Sequence, residues 1–316
     1  MYFPVSGVEV NPLVPLLVAF FVSLLTAPAG VSGAFLLLPF QVSVLGFTGP
    51  AVSPTNLIYN IVATPGGIYT YIKERRMVWP LAWVVVLGTL PGVFVGAILR
   101  VRYLSDPALF KVFVGLVLLY LGARLLYETA GSYLKERLRR EPVQQNLFDY
   151  ARRTGTEAAP ESPPFGEVVR PGGALSATVE YEFRGKVFSF NKVTVFLLSL
   201  VVGAIGGVYG VGGGAIIAPF LVAFLRLPVY TIAGAALLGT FLTSFAGVAF
   251  FQLLSATELG RQAAVAPDWT LGGILGIGGL AGTYAGARLQ KFLPDFWIRV
   301  VLGTLITLLA LSYLLG

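Results

Sequence analysis

The sequence predicts an all-α polytopic membrane protein: about ten hydrophobic segments in two inverted five-segment repeats, with short broken or re-entrant helices at the start of each repeat. A small β-hairpin is expected in the polar insert between the repeats. Three observations carry this. The 316 residues are 56% hydrophobic and only 12% charged, roughly half the charge fraction of a soluble domain, with a mean hydropathy of +0.81. Apolar runs near the length of a bilayer crossing recur along the chain. The second half of the chain also repeats the first at a nearly constant spacing.

The apolar segments fall at 13–27, 33–46, 51–72, 79–99 and 108–127, then at 191–208, 213–226, 229–254, 269–289 and 296–315. The segments at 13–27, 33–46 and 213–226 are short for a crossing and carry Gly or Pro, which interrupt helices. Sliding the chain by 180 residues lays "GVSGAFLLLPF" (30–40) on "GVGGGAIIAPF" (210–220). Gly30 meets Gly210, Gly33 meets Gly213, Leu57 meets Leu237, Asn60 meets Thr240, Thr64 meets Ser244 and Gly67 meets Gly247. At an offset of 190, Trp79 meets Trp269, Gly92 meets Gly282 and Gly96 meets Gly286, and at 188 Lys111 meets Arg299. Five is an odd number of crossings, so a second copy enters from the opposite side. That is the inverted-repeat plan of many secondary transporters.

The expected organisation is a first transmembrane repeat at 1–128, a polar insert at 129–190 and a second repeat at 191–316. With alternating crossings, one side receives Lys73, Arg75, Arg76, Lys135, Arg137, Arg139, Arg140, Arg226, Arg288 and Lys291. The other receives Arg100, Arg102, Lys111, Arg261 and Arg299. The richer side is placed in the cytoplasm. Both termini are then extracytoplasmic, the insert cytoplasmic and the protein a multi-pass protein of the inner (plasma) membrane. The start "MYFPVSGVEVNP" lacks the basic region of a cleaved signal peptide. Within the insert, "GSYLKERLRRE" extends a helix and "TGTEAAPESPPFGE" is mobile in composition. "ALSATVEYEFRGKVFSF" alternates like a hairpin with an Arg-Gly turn. A lone hairpin is marginal, so it is expected to dock.

A helix that begins inside the membrane leaves its first N–H groups unpaired, and with the positive end of the dipole these favour an anion. Ser32, Gly33 and Ala34, with Gly212, Gly213 and Gly214, are the candidate cradles. The same glycines would also serve close helix packing. The third segment of each half carries a polar stripe: Ser53, Thr55, Asn56, Asn60 and Thr64 in one, Thr240, Thr243 and Ser244 in the other. Asn56, Asn60 and Thr64 follow at i+4 and share a helix face. These side chains suit either a ligand or interhelical hydrogen bonds. Gln41, after Pro39-Phe40, is a weaker candidate.

Some chemistries are excluded by composition. The chain has no Cys and no His, which removes disulfides, thiol nucleophiles and imidazole metal ligands. No Asp or Glu lies deep in an apolar segment, so a carboxylate proton relay is not expected. An enzyme would be poorly equipped, and no cofactor or metal is expected. The net charge of +7 belongs to membrane loops rather than to nucleic-acid binding. The expected partners are a small anion and the lipid bilayer, and a homodimer is compatible. An inside-negative potential favours anion exit by about 2.3 kcal/mol per charge per 100 mV.

The two glycine motifs, the Ser/Thr/Asn-bearing third segments and "GTYAGARL" (282–289) resemble the sulfite exporter TauE/SafE family. The resemblance covers both apolar halves. The second motif is the nearer match, since Ser32 and Ala34 stand where its partner has Gly212 and Gly214. It implies a membrane transporter exporting sulfite, sulfoacetate or a related organosulfonate. An anion channel and a sodium-coupled importer of an organic anion are the alternatives.

Overall fold

The described residues of the apolar segments fold mainly as helix. The computed structural model describes residues 1–104, 106, 108–127, 129–131, 168–170, 177–183, 186–225, 227–290, 292 and 295–315. The expected basic helical extension beyond residue 131, the "TGTEAAPESPPFGE" stretch and the Arg-Gly turn lie outside the described residues. In the first half, α1 is Leu13–Thr26, α2 is Ala34–Pro39, α3 is Val52–Lys73, α4 is Trp79–Tyr103 and α5 is Ala108–Gly131. In the second, α6 is Lys192–Tyr209, a 3-10 turn at Gly213–Ile216 leads into α7 at Ile217–Leu225, and α8 is Val229–Ser255. A short α9, Glu258–Gln262, precedes α10 at Trp269–Leu289 and α11 at Asp295–Leu315. Four of these, α4, α5, α6 and α8, are long and apolar enough to cross a membrane. α1 extends only about 21 Å at 1.5 Å per residue, against a hydrocarbon core of about 30 Å.

Local chemistry sets the breaks. Gly30 and Gly210 each stop a helix in the left-handed conformation, with φ of 71° and 75°. The closing bonds match: Val31 N–H donates to the Thr26 carbonyl (3.3 Å) and Val211 N–H to the Gly206 carbonyl (3.0 Å). Pro39 ends α2, and the chain continues as a π-turn over Phe40–Val44, consistent with a proline's missing N–H. Asn191 caps α6 by accepting from the Val193 and Thr194 N–H groups.

The helices pack through two rows of glycine. On α4, a methyl added at Gly88, Gly92 or Gly96 would collide with the carbonyl oxygen of Phe196, Leu200 or Ala204 on α6. On α10, Gly278, Gly282 and Gly286 meet the carbonyls of Leu16, Phe20 and Leu24 on α1. All six approaches fall under 3.0 Å. α3 lies parallel to α10, with Thr55 and Ile58 against Gly272 and Val62 against Gly276. α8 lies along α4, with Val85 against Gly239 and Val93 against Gly247. α3 and α8 run antiparallel at the centre: Gly67 abuts Leu237 and Gly247 abuts Leu57.

The expected hairpin is present as β4 (Thr178–Phe183) and β5 (Lys186–Asn191), and a third strand, β3 (Val168–Arg170), pairs antiparallel with β4. It docks: Tyr181 is buried, and its hydroxyl lies 2.9 Å from Thr231 Oγ1 on the first turn of α8. A two-residue ribbon, β1 (Tyr2–Phe3) with β2 (Val8–Glu9), was too short to show in the pattern. It seats beside the start of α10, where Ser6 donates both N–H and Oγ to Asp268.

Candidate functional site

Each glycine turn carries the chain from one end of the antiparallel α3–α8 pair toward its middle. Gly30 lies against Ala233, near the start of α8, and Gly210 against Ser53, near the start of α3. The turn just before Gly30 is fixed by Tyr71, whose hydroxyl donates to the Ala27 carbonyl at 3.2 Å, and by Gln290 Nε2, which donates to the Pro28 carbonyl at 2.8 Å. Arg76 is buried there among Glu74, Gln290 and the Ala287 carbonyl.

Asn60, in the middle of α3, is where the two turns converge. Its Oδ1 accepts from the Ser32 hydroxyl, and its Nδ2 donates to the Val211 carbonyl (2.8 Å) and to Ser244 Oγ on α8 (3.1 Å). One α-turn earlier, Asn56 Nδ2 donates to the carbonyls of Ala34 (2.9 Å) and Gly210 (3.1 Å), and Gln41 donates to Asn56 Oδ1 (3.1 Å). Thr243 Oγ1 accepts from the Gly213 N–H (3.2 Å) and Ser32 Oγ from the Ala34 N–H (3.3 Å). Tyr209 donates to the Phe35 carbonyl, tying the second turn to α2. Every polar side chain of this cluster is buried, and none of them is charged.

The expected residues divide accordingly. Ser32, Asn56, Asn60, Thr243 and Ser244 form the hydrogen-bonded cluster with Ala34 and Gly213. Gly33 packs on Tyr59 and Ser23, Gly212 on Ser244, and Gly214 on the backbone of α8 at Ala236 and Thr240. The hydroxyls of Thr64 and Thr240 turn back on their own helices, to the carbonyls of Asn60 and Ala236. Thr55 belongs elsewhere. One residue before Asn56, it sits about 100° round the helix, and its Oγ1 accepts from the Asp268 N–H (2.8 Å) at the start of α10. Ser53, part of the expected stripe, touches the Gly210 turn, and its Oγ has no partner among the described residues; nor has Gln41 Oε1.

One cavity lies beside the glycine turns and another at the ends of α3 and α10. A small apolar one of about 30 Å³ lies between the turns, bounded by Val31, Phe35, Ile216 and Ala218 with α5 and α11. A larger cleft of about 450 Å³ opens where α3 and α10 end, lined by Tyr69, Lys73, Glu74, Tyr284 and Arg288 among others. Each cation there lies over a ring one turn before it: Lys73 at 5.7 Å from the Tyr69 centroid, Arg288 at 4.3 Å from that of Tyr284. Arg100, grouped by the sequence with the loop charges of the opposite side, is instead fully buried in the last turn of α4. Counting charges by segment says nothing of which face they occupy.

The arrangement gathers neutral hydrogen-bonding groups between the glycine turns and two cations, Lys73 and Arg288, at the ends of α3 and α10. Neither the curated proteins nor the solved structures give a match to the chain. The description "Sulfite exporter TauE/SafE" matches residues 15–313, nearly the whole length. With its apolar helices and buried polar centre, the chain is therefore a multi-pass membrane protein and not an enzyme: it belongs to the sulfite exporter TauE/SafE family, a family of membrane transporters of sulfur-containing anions.

Proposed function

We propose that the protein exports a small sulfur-containing anion (sulfite, sulfoacetate or a related organosulfonate) across the plasma membrane, from a site at mid-membrane between two inverted repeats. The observation that carries this is Asn60, bonded at once to Ser32 from the first glycine turn and to Val211 and Ser244 from the second half. The proposed site takes Ser32, Gly33, Ala34, Asn56, Asn60 and Thr64 from the first half and Gly212, Gly213, Gly214, Thr240, Thr243 and Ser244 from the second, with the Thr64 and Thr240 hydroxyls bonded to their own helices. A hydroxyl both donates and accepts. On binding, an oxyanion replaces Ser32 Oγ on the Ala34 N–H and Thr243 Oγ1 on the Gly213 N–H. The freed hydroxyls rotate to donate to it. Neutral donors hold an anion without trapping it, as a transporter requires.

The inversion is supported by the packing. The glycine row of α4 against α6 and that of α10 against α1 use residues related by the sequence offsets of 190 and 180. The Gly67–Leu237 and Gly247–Leu57 contacts exchange under the 180 offset, and the two helices making them are antiparallel. We assign residues 1–128 and 191–316 to the repeats and 129–190 to a cytoplasmic insert. The cleft at the ends of α3 and α10 then faces the cytoplasm and both termini face outward. One chain supplies every residue of the site, which suits a monomer and a homodimer alike.

The test is flux from proteoliposomes at set membrane potentials, with sulfite, thiosulfate, sulfoacetate, sulfate and a carboxylate control. Saturable, potential-dependent flux of a sulfur oxyanion is expected. Asn60→Leu, which keeps the branched shape but not the polar atoms, should lower it by about tenfold or more, the equivalent of about 1.4 kcal/mol, while the protein still inserts and purifies. Unsaturable flux would make it a channel. Flux of the carboxylate under a sodium gradient, or an unaltered Asn60→Leu variant, would overturn the assignment.

A further inference from the structure

Arg100 is a buried guanidinium with no hydrogen-bond partner among the described residues. The residue has no exposed surface, and Nε, Nη1 and Nη2 all lack a hydrogen-bond partner among the described residues. Phe110, on the first turn of α5, covers it, with the ring centroid 3.7 Å from the guanidinium carbon. Around it, Gly96 presses α4 onto α6, and Ala97 and Val101 join an apolar cluster with Leu57, Val248 and Phe251.

The described acidic groups at this end of the bundle are exposed or already bonded. Asp106, nearest in sequence, is exposed and accepts from the Ala108 N–H at 2.7 Å, capping α5. Asp268 is held by Ser6 and Leu271, and Glu9 and Glu258 are exposed. An arginine does not shed its proton in a protein. A buried charge without a partner costs several kcal/mol, and a ring face with the carboxyl end of a helix offsets only part of that. Among the described residues no carboxylate supplies the remaining compensation.

We propose that Arg100 binds a small oxyanion, forming a second anion site at the opposite end of the bundle from the Lys73–Arg288 cleft. Thr89, which touches Gly213 in the central cluster, lies on the same helix. Eleven residues at 1.5 Å each put Arg100 about 16 Å further along it. The central cluster and Arg100 are thus successive stops on one line. That Arg100 lies on the exit path rests on the transport function proposed above; that it holds an anion does not.

Thermal unfolding of the purified full-length protein separates the two. In a buffer whose only anion is bulky, such as gluconate, sulfite should raise the midpoint and the rise should saturate. Arg100→Gln should lose that part of the rise which Asn60→Leu retains, and Arg100→Lys should keep it. Without a small anion, Arg100→Gln should melt above the wild type, because it removes an uncompensated charge. In flux, Arg100→Gln should raise the apparent KM for the anion by about tenfold, the loss of one charge-assisted hydrogen bond. An Arg100→Gln variant that melts below the wild type in every buffer, with the sulfite-induced rise intact, would make Arg100 a structural cation and overturn the proposal. An equal rise with chloride would overturn the oxyanion assignment. Should Arg100→Gln not fold, an Asn60→Leu protein indifferent to sulfite would overturn it as well. Absence of flux with the Arg100-dependent rise intact would reject transport and leave the anion site standing.

Discussion

At the scale of single residues, the polar stripe of α3 separates by one helical step into two jobs. Asn56 and Asn60 face the glycine turns, whereas Thr55 accepts from the Asp268 N–H and donates to the Ala51 carbonyl at 2.8 Å. Thr55→Val should therefore destabilise the protein by about 1 kcal/mol, the net worth of a buried hydrogen bond, while flux per folded molecule stays at the wild-type level. A melting curve and a flux assay on the same preparation check this. If Thr55→Val lowers flux as much as Asn60→Leu does, the stripe acts as one unit and the division is wrong. The i+4 spacing made Asn56, Asn60 and Thr64 legible as one face. Thr55 bonds to Ala51 and Asp268 instead of joining Asn56 and Asn60, a difference hidden in the sequence because a polar residue beside that face reads the same whether it turns toward a ligand or a neighbouring helix. The hydroxyls of Thr64 and Thr240, returned to their own helices, show that polarity alone does not specify a direction.

At the scale of elements, glycine decides which helices touch. Gly92 and Gly282 occupy matched places in the two rows, each against a carbonyl of a partner helix. Gly92→Ala and Gly282→Ala should both lower the melting midpoint, and by similar amounts, because each forces the same kind of helix pair apart. Gly273, on the open side of α10 with nothing within 4 Å, is the internal control. Gly273→Ala should leave stability unchanged or raise it by up to about 1 kcal/mol, the helix-propensity difference. A clear loss in Gly273→Ala, or none in the other two, would contradict the packing. The glycines were visible in the sequence because they recur at matched offsets. Their partners were not, since a periodic pattern gives a face but does not say whether α4 lies on α6 or on α5. The breaks at Gly30 and Gly210 were legible for a better reason: a left-handed residue before an apolar run leaves few alternatives.

At the scale of the molecule, the two ends of the bundle differ although the packing repeats. Lys73, Arg288 and their tyrosines line the cleft where α3 and α10 finish. At the matched places on α8 and α4 stand Leu253 and Ile98, and Phe94 packs on Phe250 with centroids 5.3 Å apart. A basic cleft at one mouth and an apolar pair at the other give the molecule a direction. An exposed basic cleft would raise the local anion concentration at its own mouth. Lys73 closes α3, Arg102 closes the last turn of α4, and both are exposed. Because α4 runs with α8 and against α3, these two residues lie at opposite ends. The chain contains no cysteine, so Lys73→Cys and Arg102→Cys each introduce a single thiol without further change. A membrane-impermeant maleimide should label Lys73→Cys only in inside-out vesicles and Arg102→Cys only in right-side-out ones. Labelling of both from one face would break the crossing pattern of α3 and α4. The reverse assignment would keep that pattern but turn the basic cleft outward, where it would gather anions for uptake rather than for export.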